Sequence, residues 1–375
     1  KNMKNQRTQQ KFNCQQSSNS LRDGKERSSS MSKLLLGGQT VNPASEGQMF
    51  DLSRTKSFRV EPQNGNANQR IFRASDLVIG ELLGRGFFGE VYKVIHKETK
   101  EVMVLKELYK WVDEDAQKNF LKEVAVLRSL SHRNVLRFIG VLYKEKKLHL
   151  ITEFVGGGTL ASLLHATSNQ VPLSWAEKIH FARDISMGMT YLHSKSIIHR
   201  DLNSGNCLVR DVGKDRTVIV ADFGLARLCK TTEGHGTVIN RKSQRERRKR
   251  YTVVGTPWYM APEMLRGNKY DDKVDVFSFG IIMCEIIGRV QADPDFMPRT
   301  DDFGLNRQEF IKTFCQVENN PCPEIFYKVA FLCCNLNPDK RPSFKTLQEW
   351  FDRICIHCAI VGNFHGHLPS DLVSE

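Results

Sequence analysis

The stretch HRDLNSGNCLV, residues 199–209, decides the fold, because it takes its meaning from four other motifs that lie in a fixed order around it. Upstream, GRGFFGEV (84–91) places glycines between two strand-like runs, and the apolar run VMVLK ends at Lys106. Downstream lie ADFGLA (221–226) and MAPE (260–263). Each motif alone is weak, since glycines can serve a turn and acids can cap one. Five motifs in this order do not arise by accident, so they predict one domain with a defined site.

Alternating apolar residues predict five strands in the first half of this region. They are two strands around the glycine turn in 77–96, a third in EVMVLKEL (101–108), and two more in RFIGVLY (137–143) and LHLITEF (148–154). The run DEDAQKNFLKEVAVLRSL (113–130) predicts a helix with an acidic first turn. Beyond Gly158 the pattern is mainly helical, with the short strand-like pieces CLVR and VIVADF. The sequence therefore predicts an α+β fold that begins near Asp76, with a strand-rich small lobe (76–153), a hinge (153–158) and a helix-rich large lobe (159–354).

The basic charge of the chain is confined to two short segments. The chain has 375 residues and a formal net charge of +13. Residues 1–70 hold 12 basic and 5 acidic residues, and residues 241–250 hold 7 and 1. The remainder holds 36 of each sign and is neutral. A nucleic-acid-binding domain carries its positive charge on a folded surface, so this distribution argues against nucleic acid as a partner.

The two ends of the chain are predicted to lie outside the folded domain. Residues 1–70 are rich in Gln, Asn, Ser and Gly and poor in aromatic residues, which predicts a disordered basic linker. Residues 355–375 are predicted to form a C-terminal tail. The first residue is lysine and no signal peptide is visible, so the chain reads as part of a longer protein.

The cysteines and the apolar runs exclude two further classes of protein. The 10 cysteines stand mostly in apolar contexts such as IIMCEII and FLCCNL, which favours reduced thiols over a disulfide framework. Cys355 and Cys358 continue an amphipathic run and are predicted to pack on a helix, although with His365 and His367 they have some of the spacing of a zinc site. The run VDVFSFGIIMCEII (274–287) is short for a bilayer and contains two acids, which argues against membrane insertion.

The five motifs together resemble a protein kinase across residues 76–354. At a finer level, HRDLNSGNCLVR, ADFGLARL, RKRYTVVG, NPDKRPSF and the segment KVDVFSFGIIMCEIIGRVQADPDFMPRTDDFGLN are similar to the LIM-domain kinases. The related testis-associated dual-specificity kinases share HRDL, the ADPD segment and the cysteine pair, but lack the basic insertion before the activation-loop threonine. Gly205 stands where histidine is usual and GTPWYM replaces GNPYWM, so the chain is identified as a divergent member of this group.

The resemblance implies a bilobal protein kinase fold that uses ATP and Mg²⁺. Asp201 would orient the substrate hydroxyl and accept its proton, and Lys106, paired with Glu123, would hold the nucleotide phosphates. Asn206 and Asp222 would ligate Mg²⁺, because hard oxygen ligands suit this ion.

The nucleotide site that the resemblance implies combines the glycine turn with the hinge. Its residues would be Leu83, Gly84, Arg85, Gly86, Phe87, Phe88, Gly89, Glu90, Val91, Val104, Lys106, Thr152, Glu153 and Val155. Thr152 would face the back of the adenine pocket, and backbone groups of Glu153 and Val155 would bond the base. Val104 replaces the usual alanine and adds bulk over the adenine, which should shape inhibitor preference rather than abolish ATP binding.

The catalytic loop leaves the acceptor hydroxyl open. Asn203 stands where serine/threonine kinases have lysine, and the loop does not match the tyrosine-kinase pattern HRDLAARN either. The stretch GTPWYMAPE favours serine or threonine, with Thr256 placed to orient Asp201. The family resemblance implies phosphorylation of actin-depolymerising factor/cofilin at a serine near its N-terminus, in the cytoplasm and at the cytoskeleton. A testis-associated type of dual-specificity kinase and a kinase-like scaffold without catalysis are the alternatives.

The basic insert RKSQRERRKR (241–250) lies inside a long activation segment, residues 222–263. Three interpretations stay open: a solvated loop, a nuclear-localisation signal that would let the protein shuttle, and a recognition mark for an upstream basophilic kinase. In the third, phosphate on Thr252 would pair with Arg200 and order the segment. A second DFG, residues 302–304, follows MAPE and is predicted to be a loop or helix entry rather than a metal site.

Overall fold

The computed structural model describes residues 70–361, apart from 87–88, 109–123, 125–126, 145–146, 167–171, 214, 223–226, 229–255 and 319. The predicted linker up to residue 69, most of the predicted helix 113–130, the basic insert 241–250 and the chain beyond residue 361 lie outside the described residues.

Six strands of the described chain form one twisted sheet in the small lobe. They are β1 (Arg70–Arg73), β2 (Leu77–Gly86), β3 (Gly89–His96), β4 (Val102–Leu108), β5 (Phe138–Lys144) and β6 (Lys147–Glu153), in the order β1-β5-β6-β4-β3-β2. Neighbours pair antiparallel except β1 and β5, which run parallel. Five of these strands are the five that the alternating pattern predicts.

The alternation of side chains along β4 separates the core of the small lobe from its functional face. Met103 and Leu105 are fully buried in a cluster with Val94 and Ile151. Since successive side chains of a strand point to opposite faces, Lys106 lies on the other face. The hydrophobic core therefore fixes which residues of β4 are presented to a ligand.

Strand β1 was not expected, since order was predicted to begin near Asp76. It pairs with β5 so that Arg70 lies opposite Gly140. A Cβ at Gly140 would stand 1.9 Å from the Arg70 carbonyl oxygen, so only glycine lets the two backbones approach this closely. A salt bridge between Arg70 and Glu101 adds a second attachment.

The large lobe is mainly helical, as predicted. Its helices are α1 (Leu160–His165), α2 (Trp175–Ser194), α3 (Pro262–Leu265), α4 (Lys273–Gly288), α5 (Arg307–Phe310), α6 (Glu324–Cys333) and α7 (Phe344–Val361). Two pairs of short strands accompany them: β7 (Ile197–Ile198) with β10 (Arg227–Leu228), and β8 (Cys207–Val212) with β9 (Asp215–Val220). Together with the sheet of the small lobe, these helices confirm the α+β, bilobal fold.

Helix α4 is the centre of the large lobe. Every residue from Val274 to Ile287 is buried, which explains the uninterrupted apolar run in the sequence. Among the described residues, no helix is both long enough and apolar enough to cross a membrane. Helix α7 continues to Val361, so the domain end expected at residue 354 falls inside a helix.

The eight cysteines in the described part of the chain are all free thiols, and six of them are buried. Cys355 and Cys358 lie half-buried on α7, as the amphipathic pattern predicts. Burial raises the pKa of Cys355 to about 12 and that of Cys358 to about 11. His365 and His367 lie outside the described residues. Thiols with raised pKa values are poor nucleophiles, which suits a packing role.

The β8–β9 hairpin is bonded to the rest of the chain at two places, at the hinge and just upstream of β5. At the hinge, Gly157 N donates to Val209 O over 3.0 Å and Val209 N donates to Gly158 O over 2.9 Å. Upstream of β5, Leu136 N donates to Val220 O and Val220 N donates to Asn134 O, each over 2.9 Å. The small lobe is therefore attached to one hairpin of the large lobe.

Candidate active site

The catalytic loop is anchored from below by one buried carboxylate of α4. Asp275 accepts the backbone N–H groups of His199 and Arg200, each over 2.9 Å, and lies 2.9 Å from His193 Nε2. Arg200 has a φ of 68°, a conformation that a non-glycine residue adopts only at a cost, and its bond to Asp275 helps hold it there. The backbone of the predicted regulatory residue Arg200 is thus fixed, and with it the direction of the next residue, Asp201.

A charged histidine supports this anchor. Burial disfavours the charged form of His193, but hydrogen bonds and the charges of Asp272 and Asp275 outweigh it and raise the pKa of His193 to about 9. The hydrogen bond from His193 is also the main reason that the pKa of Asp272 lies below its ordinary value. At neutral pH an imidazolium therefore lies between two carboxylates beneath the catalytic loop.

Several donors converge on the carboxylate of Asp201. Thr256 N donates to its Oδ1 over 2.9 Å and Thr256 Oγ1 over 3.2 Å, which is the contact that GTPWYMAPE predicts. Asn206 Nδ2 lies 3.1 Å from Oδ2 and 2.8 Å from the Asp201 carbonyl oxygen. A carboxylate held at both oxygens has a fixed plane, which is what a group that must orient a hydroxyl requires.

Lys106 and Asp222 meet across the lobes. Lys106 Nζ lies 2.7 Å from Asp222 Oδ1, and the two side chains are 20% and 43% exposed. Asp222 has a φ of 55°, which turns its side chain out of the line of β9. Glu123, the predicted partner of Lys106, lies outside the described residues.

The oxygens near Asp222 fit a hard divalent cation. Asn206 turns its amide nitrogen towards Asp201, which leaves the amide oxygen to ligate. Ala221 N donates to Asn206 O over 2.8 Å, so the residue before Asp222 is tied directly to Asn206. An amide oxygen and a carboxylate held together in this way are a donor set of the kind that Mg²⁺ accepts.

The glycine turn joins β2 to β3 with open space beside it. Gly84 pairs with Val91, Arg85 with Glu90, and Gly86 with Gly89. A Cβ at Gly84 would meet nothing within 4 Å, so the protein's own packing does not demand glycine there. Arg85 Nε lies 2.9 Å from Glu90 Oε1, which ties the strands of the turn. Phe87 and Phe88 lie outside the described residues, and Leu83 is exposed.

The residues predicted for the adenine side lie on neighbouring strands. Val104 is in register with Thr152 on β6, and Val91 is in register with Lys106 on β4. Val155 in the hinge is buried.

Glu153 has only one backbone group left for a base. Its N–H donates to Arg137 O over 3.0 Å, while its carbonyl accepts one long bond of 3.4 Å from Thr152 Oγ1. The carbonyl therefore retains a lone pair for a donor of the base.

The sequence did not reveal a buried polar chain behind the catalytic loop. Tyr259 OH lies 3.0 Å from Ser204 Oγ and donates to Glu285 Oε1 over 2.8 Å, and His165 Nε2 lies 3.3 Å from that same oxygen. Burial is the main reason that the pKa of Tyr259 lies above its ordinary value. These four side chains come from distant segments, so the only sign of their network in the sequence is the acid Glu285 inside an apolar helix.

A buried ion pair closes the segment that follows Thr256. Arg341 is 1% exposed and donates to both carboxylate oxygens of Glu263, over 2.6 and 2.9 Å. This pair connects MAPE with the loop NPDKRPSF ahead of α7. Two-point contact between a guanidinium and a carboxylate is the strongest geometry for such a pair.

The second DFG forms a loop, as predicted. Asp302 Oδ1 accepts Thr300 Oγ1 over 2.6 Å and Gly304 N over 3.2 Å. The carboxylate of Asp302 is therefore used to shape a turn. Thr252 and the basic insert lie outside the described residues.

The chain has extensive similarity to known protein kinases. The sequence model of the protein tyrosine and serine/threonine kinase family matches residues 77–351. LIM domain kinase 1 of Drosophila melanogaster is 57% identical over 352 residues, which cover 88% of this chain and 27% of that protein. Dual specificity testis-specific protein kinase 1 is 43% identical in both Mus musculus and Homo sapiens, and each match covers 77% of this chain and 43% of the relative.

The chain thus spans less than half the length of these curated relatives. The matched region contains the whole sheet from β2 to β6, the catalytic loop and α4. The chain therefore belongs to the protein tyrosine and serine/threonine kinase family, with a catalytic domain similar to those of the LIM-domain and testis-specific kinases.

Proposed function

We propose that this chain transfers the γ-phosphoryl group of ATP to a hydroxyl group of a protein substrate. The observation that carries the proposal is the fixed carboxylate of Asp201, which Thr256 and Asn206 hold at both oxygens. In this role Asp201 receives the hydroxyl proton while the hydroxyl oxygen bonds to the γ-phosphorus. The bond from that phosphorus to the β–γ bridging oxygen breaks, and ADP leaves. Phosphoryl transfer depends mainly on positioning and charge, so a firmly oriented acceptor of the proton is the group that it needs.

The nucleotide would lie between the glycine turn and the hinge. Lys106 supplies the cation for its phosphates, and the open space at Gly84 lets a phosphate approach the backbone. Asn206 and Asp222 would hold Mg²⁺, which when bound neutralises negative charge on the phosphates. The carbonyl of Glu153 and a backbone group of Val155 would bond the adenine.

The proposed acceptor is serine or threonine, with actin-depolymerising factor/cofilin as the protein substrate. Support for the hydroxyl comes from Thr256, which orients Asp201 as in serine/threonine kinases. Support for the substrate comes from the similarity to LIM domain kinase 1. The testis-specific relatives are named dual specificity kinases, so additional transfer to tyrosine is the second candidate. The resemblance also favours action in the cytoplasm at the cytoskeleton, with the basic insert as a candidate nuclear signal.

Transfer of radiolabelled phosphate to cofilin tests this proposal. Wild-type protein should label cofilin, and Asp201→Ala should lower the rate by at least about a hundredfold, because the proton acceptor is lost. The two DFG motifs offer a matched pair: Asp222→Ala should abolish transfer, whereas Asp302→Ala should leave it within about twofold. Equal labelling by wild type and Asp201→Ala would refute the catalytic assignment. Labelling by wild type no higher than the background without the protein would favour a kinase-like scaffold, against which the presence of Lys106, Asp201 and Asp222 argues.

We further propose that an upstream basophilic kinase activates the protein at Thr252. One support is the basic run that ends two residues before Thr252 and contains Arg248 and Arg250. The other is Arg200, whose backbone is fixed by Asp275 and whose side chain would pair with a phosphate on Thr252. Thr252→Ala should leave ATP binding unchanged and lower the turnover of kinase-treated protein at least about tenfold. Unchanged turnover of Thr252→Ala after that treatment would contradict the proposal.

A further inference from the structure

Asn203 stands at the point of the catalytic loop where similar serine/threonine kinases carry a lysine, and its side chain is nearly enclosed. It is 7% exposed. Its amide nitrogen lies 3.0 Å from the Asp201 carbonyl oxygen, 3.2 Å from Asp201 Oδ1 and 3.4 Å from Thr256 Oγ1. Its amide oxygen accepts Asn206 N over 3.0 Å. One side chain therefore contacts the proton acceptor, the residue that orients it and a metal-ligand candidate.

The two ends of this amide do different work. The oxygen caps the short helical turn Ser204–Asn206 and needs only to be an acceptor. The nitrogen points at Asp201 and Thr256 and must be a donor, because both contacts there offer acceptor oxygens. A substitution that changes only the nitrogen can therefore separate the support of Asp201 from the capping of the loop.

The hydrogen-bond donors around the Asp201 carboxylate are distributed unequally between its two oxygens. Thr256 N, Thr256 Oγ1 and Asn203 Nδ2 all lie within 3.2 Å of Oδ1. Within the described part of the chain, Oδ2 has a single side-chain donor, Asn206 Nδ2. An oxygen with three donors has little capacity for a fourth, so Oδ2 is the oxygen left for the substrate hydroxyl.

We propose that Asn203 is a positioning residue for phosphoryl transfer, which holds Asp201 Oδ1 and Thr256 together so that Oδ2 faces the substrate. This inference rests on the proposed kinase activity. The amide is neutral and its nitrogen is directed at Asp201, so position 203 contributes orientation and no positive charge. A lysine at this position would add a cation near the transferred phosphate. In this protein the neutral amide of Asn203 takes that place and donates to the Asp201 carboxylate.

The Asn203→Asp variant is the sharpest test, because aspartate keeps the shape and the capping oxygen but exchanges the donor for a second carboxylate. We expect kcat to fall about ten- to a hundredfold, as a displaced catalytic group does, with KM for ATP unchanged.

Two further variants complete the experiment. Asn337 also caps a short helical turn, with its Oδ1 accepting Asp339 N over 3.0 Å, so Asn337→Asp is the matched control and should leave kcat unchanged. Asn203→Ser retains a hydroxyl that can donate and accept, but its shorter side chain reaches less far towards Asp201. Its kcat should therefore fall by more than twofold but by less than that of Asn203→Asp, and it replaces that variant if Asn203→Asp does not fold.

The outcomes separate this inference from the proposed function. If wild-type protein transfers phosphate to no protein substrate, the proposed function fails and takes the inference with it. If wild type is active and Asn203→Asp, or its Ser replacement, keeps kcat within twofold, only the positioning role is overturned. A fall in kcat with unchanged KM for ATP supports it, provided that Asn337→Asp keeps the wild-type kcat.

Discussion

At the scale of single residues, the catalytic loop depends on charges that lie beneath it. Asp275 is fully buried and accepts the backbone N–H groups of His199 and Arg200. His193 lies beside it as a hydrogen-bond partner. A buried carboxylate without a partner would be costly, so the imidazolium is part of the anchor. The conformation of this loop thus depends on a proton that is held on His193.

This dependence predicts how stability changes with pH. The folded-state pKa of His193 is raised from 6.5 to about 9, so its contribution is fully present below pH 6.5 and is lost as pH rises through 9. The rise corresponds to about 3 kcal/mol at full effect, at 1.36 kcal/mol for each pKa unit. The difference in free energy of unfolding between wild type and His193→Gln, measured in urea, should therefore shrink steadily between pH 6 and 10. A difference that stayed constant over this range would contradict a charged His193.

The sequence identifies the candidate site residues better than it identifies the residues that support them. Asp201, Lys106 and Asp222 stand in short motifs, so their positions could be named without a structure. Asp275 lies 76 residues from His199, and in the sequence it is only an acid that interrupts an apolar run. Such a role arises from contacts between distant segments, which local patterns do not contain.

At the scale of elements, prediction succeeds where the signal is local. Ser174 caps the start of helix α2. Its side chain accepts Glu177 N, and the Glu177 carboxylate accepts Ser174 N, a capping box that is visible in the sequence. Strand β1 has four residues and pairs with a strand about seventy residues later, so nothing in its own sequence predicts it. The trace of β1 in the sequence is instead the glycine of its partner strand, Gly140, which the close approach of the two backbones requires.

Gly140 therefore tests whether β1 belongs to the sheet. Gly140→Ala would put a Cβ 1.9 Å from the Arg70 carbonyl oxygen, so β1 must move away from β5. We expect a loss of about 1–3 kcal/mol in the free energy of unfolding, as for other overpacked sites. Faster hydrogen exchange at the amides of residues 70–73 should accompany it. Gly156→Ala is the control, because its Cβ would meet only Phe154 at an ordinary 3.6 Å.

At the scale of the whole molecule, a neutral kinase domain is held together by a few buried polar contacts between distant segments. The pair of Glu263 and Arg341 is the most enclosed of them, with side chains 10% and 0% exposed. It fixes the end of the activation segment to the loop before α7. The net charge of the chain lies elsewhere in the sequence, in residues 1–70 and 241–250.

Removal of one partner of this pair should be far more harmful than removal of both. Arg341→Met leaves Glu263 buried without its counter-charge and should cost about 3–5 kcal/mol in the free energy of unfolding. The double variant Glu263→Leu/Arg341→Met should recover part of that loss, because no isolated charge remains. Urea unfolding of the two single variants, the double variant and wild type gives the coupling energy directly. Strictly additive effects would show that the pair contributes nothing as a pair.

The attachment of the small lobe to the β8–β9 hairpin at two places has a mechanical consequence. Asn206 precedes β8 and Asp222 follows β9, so both stand at the base of this hairpin. If the small lobe moved relative to the hairpin, Lys106 would move with it, whereas Asn206 and Asp222 would stay in place. The 2.7 Å contact between Lys106 and Asp222 would then lengthen while the spacing of the two proposed metal ligands stayed constant. The distance from Lys106 to Asp222 is therefore a measure of how far apart the two lobes lie.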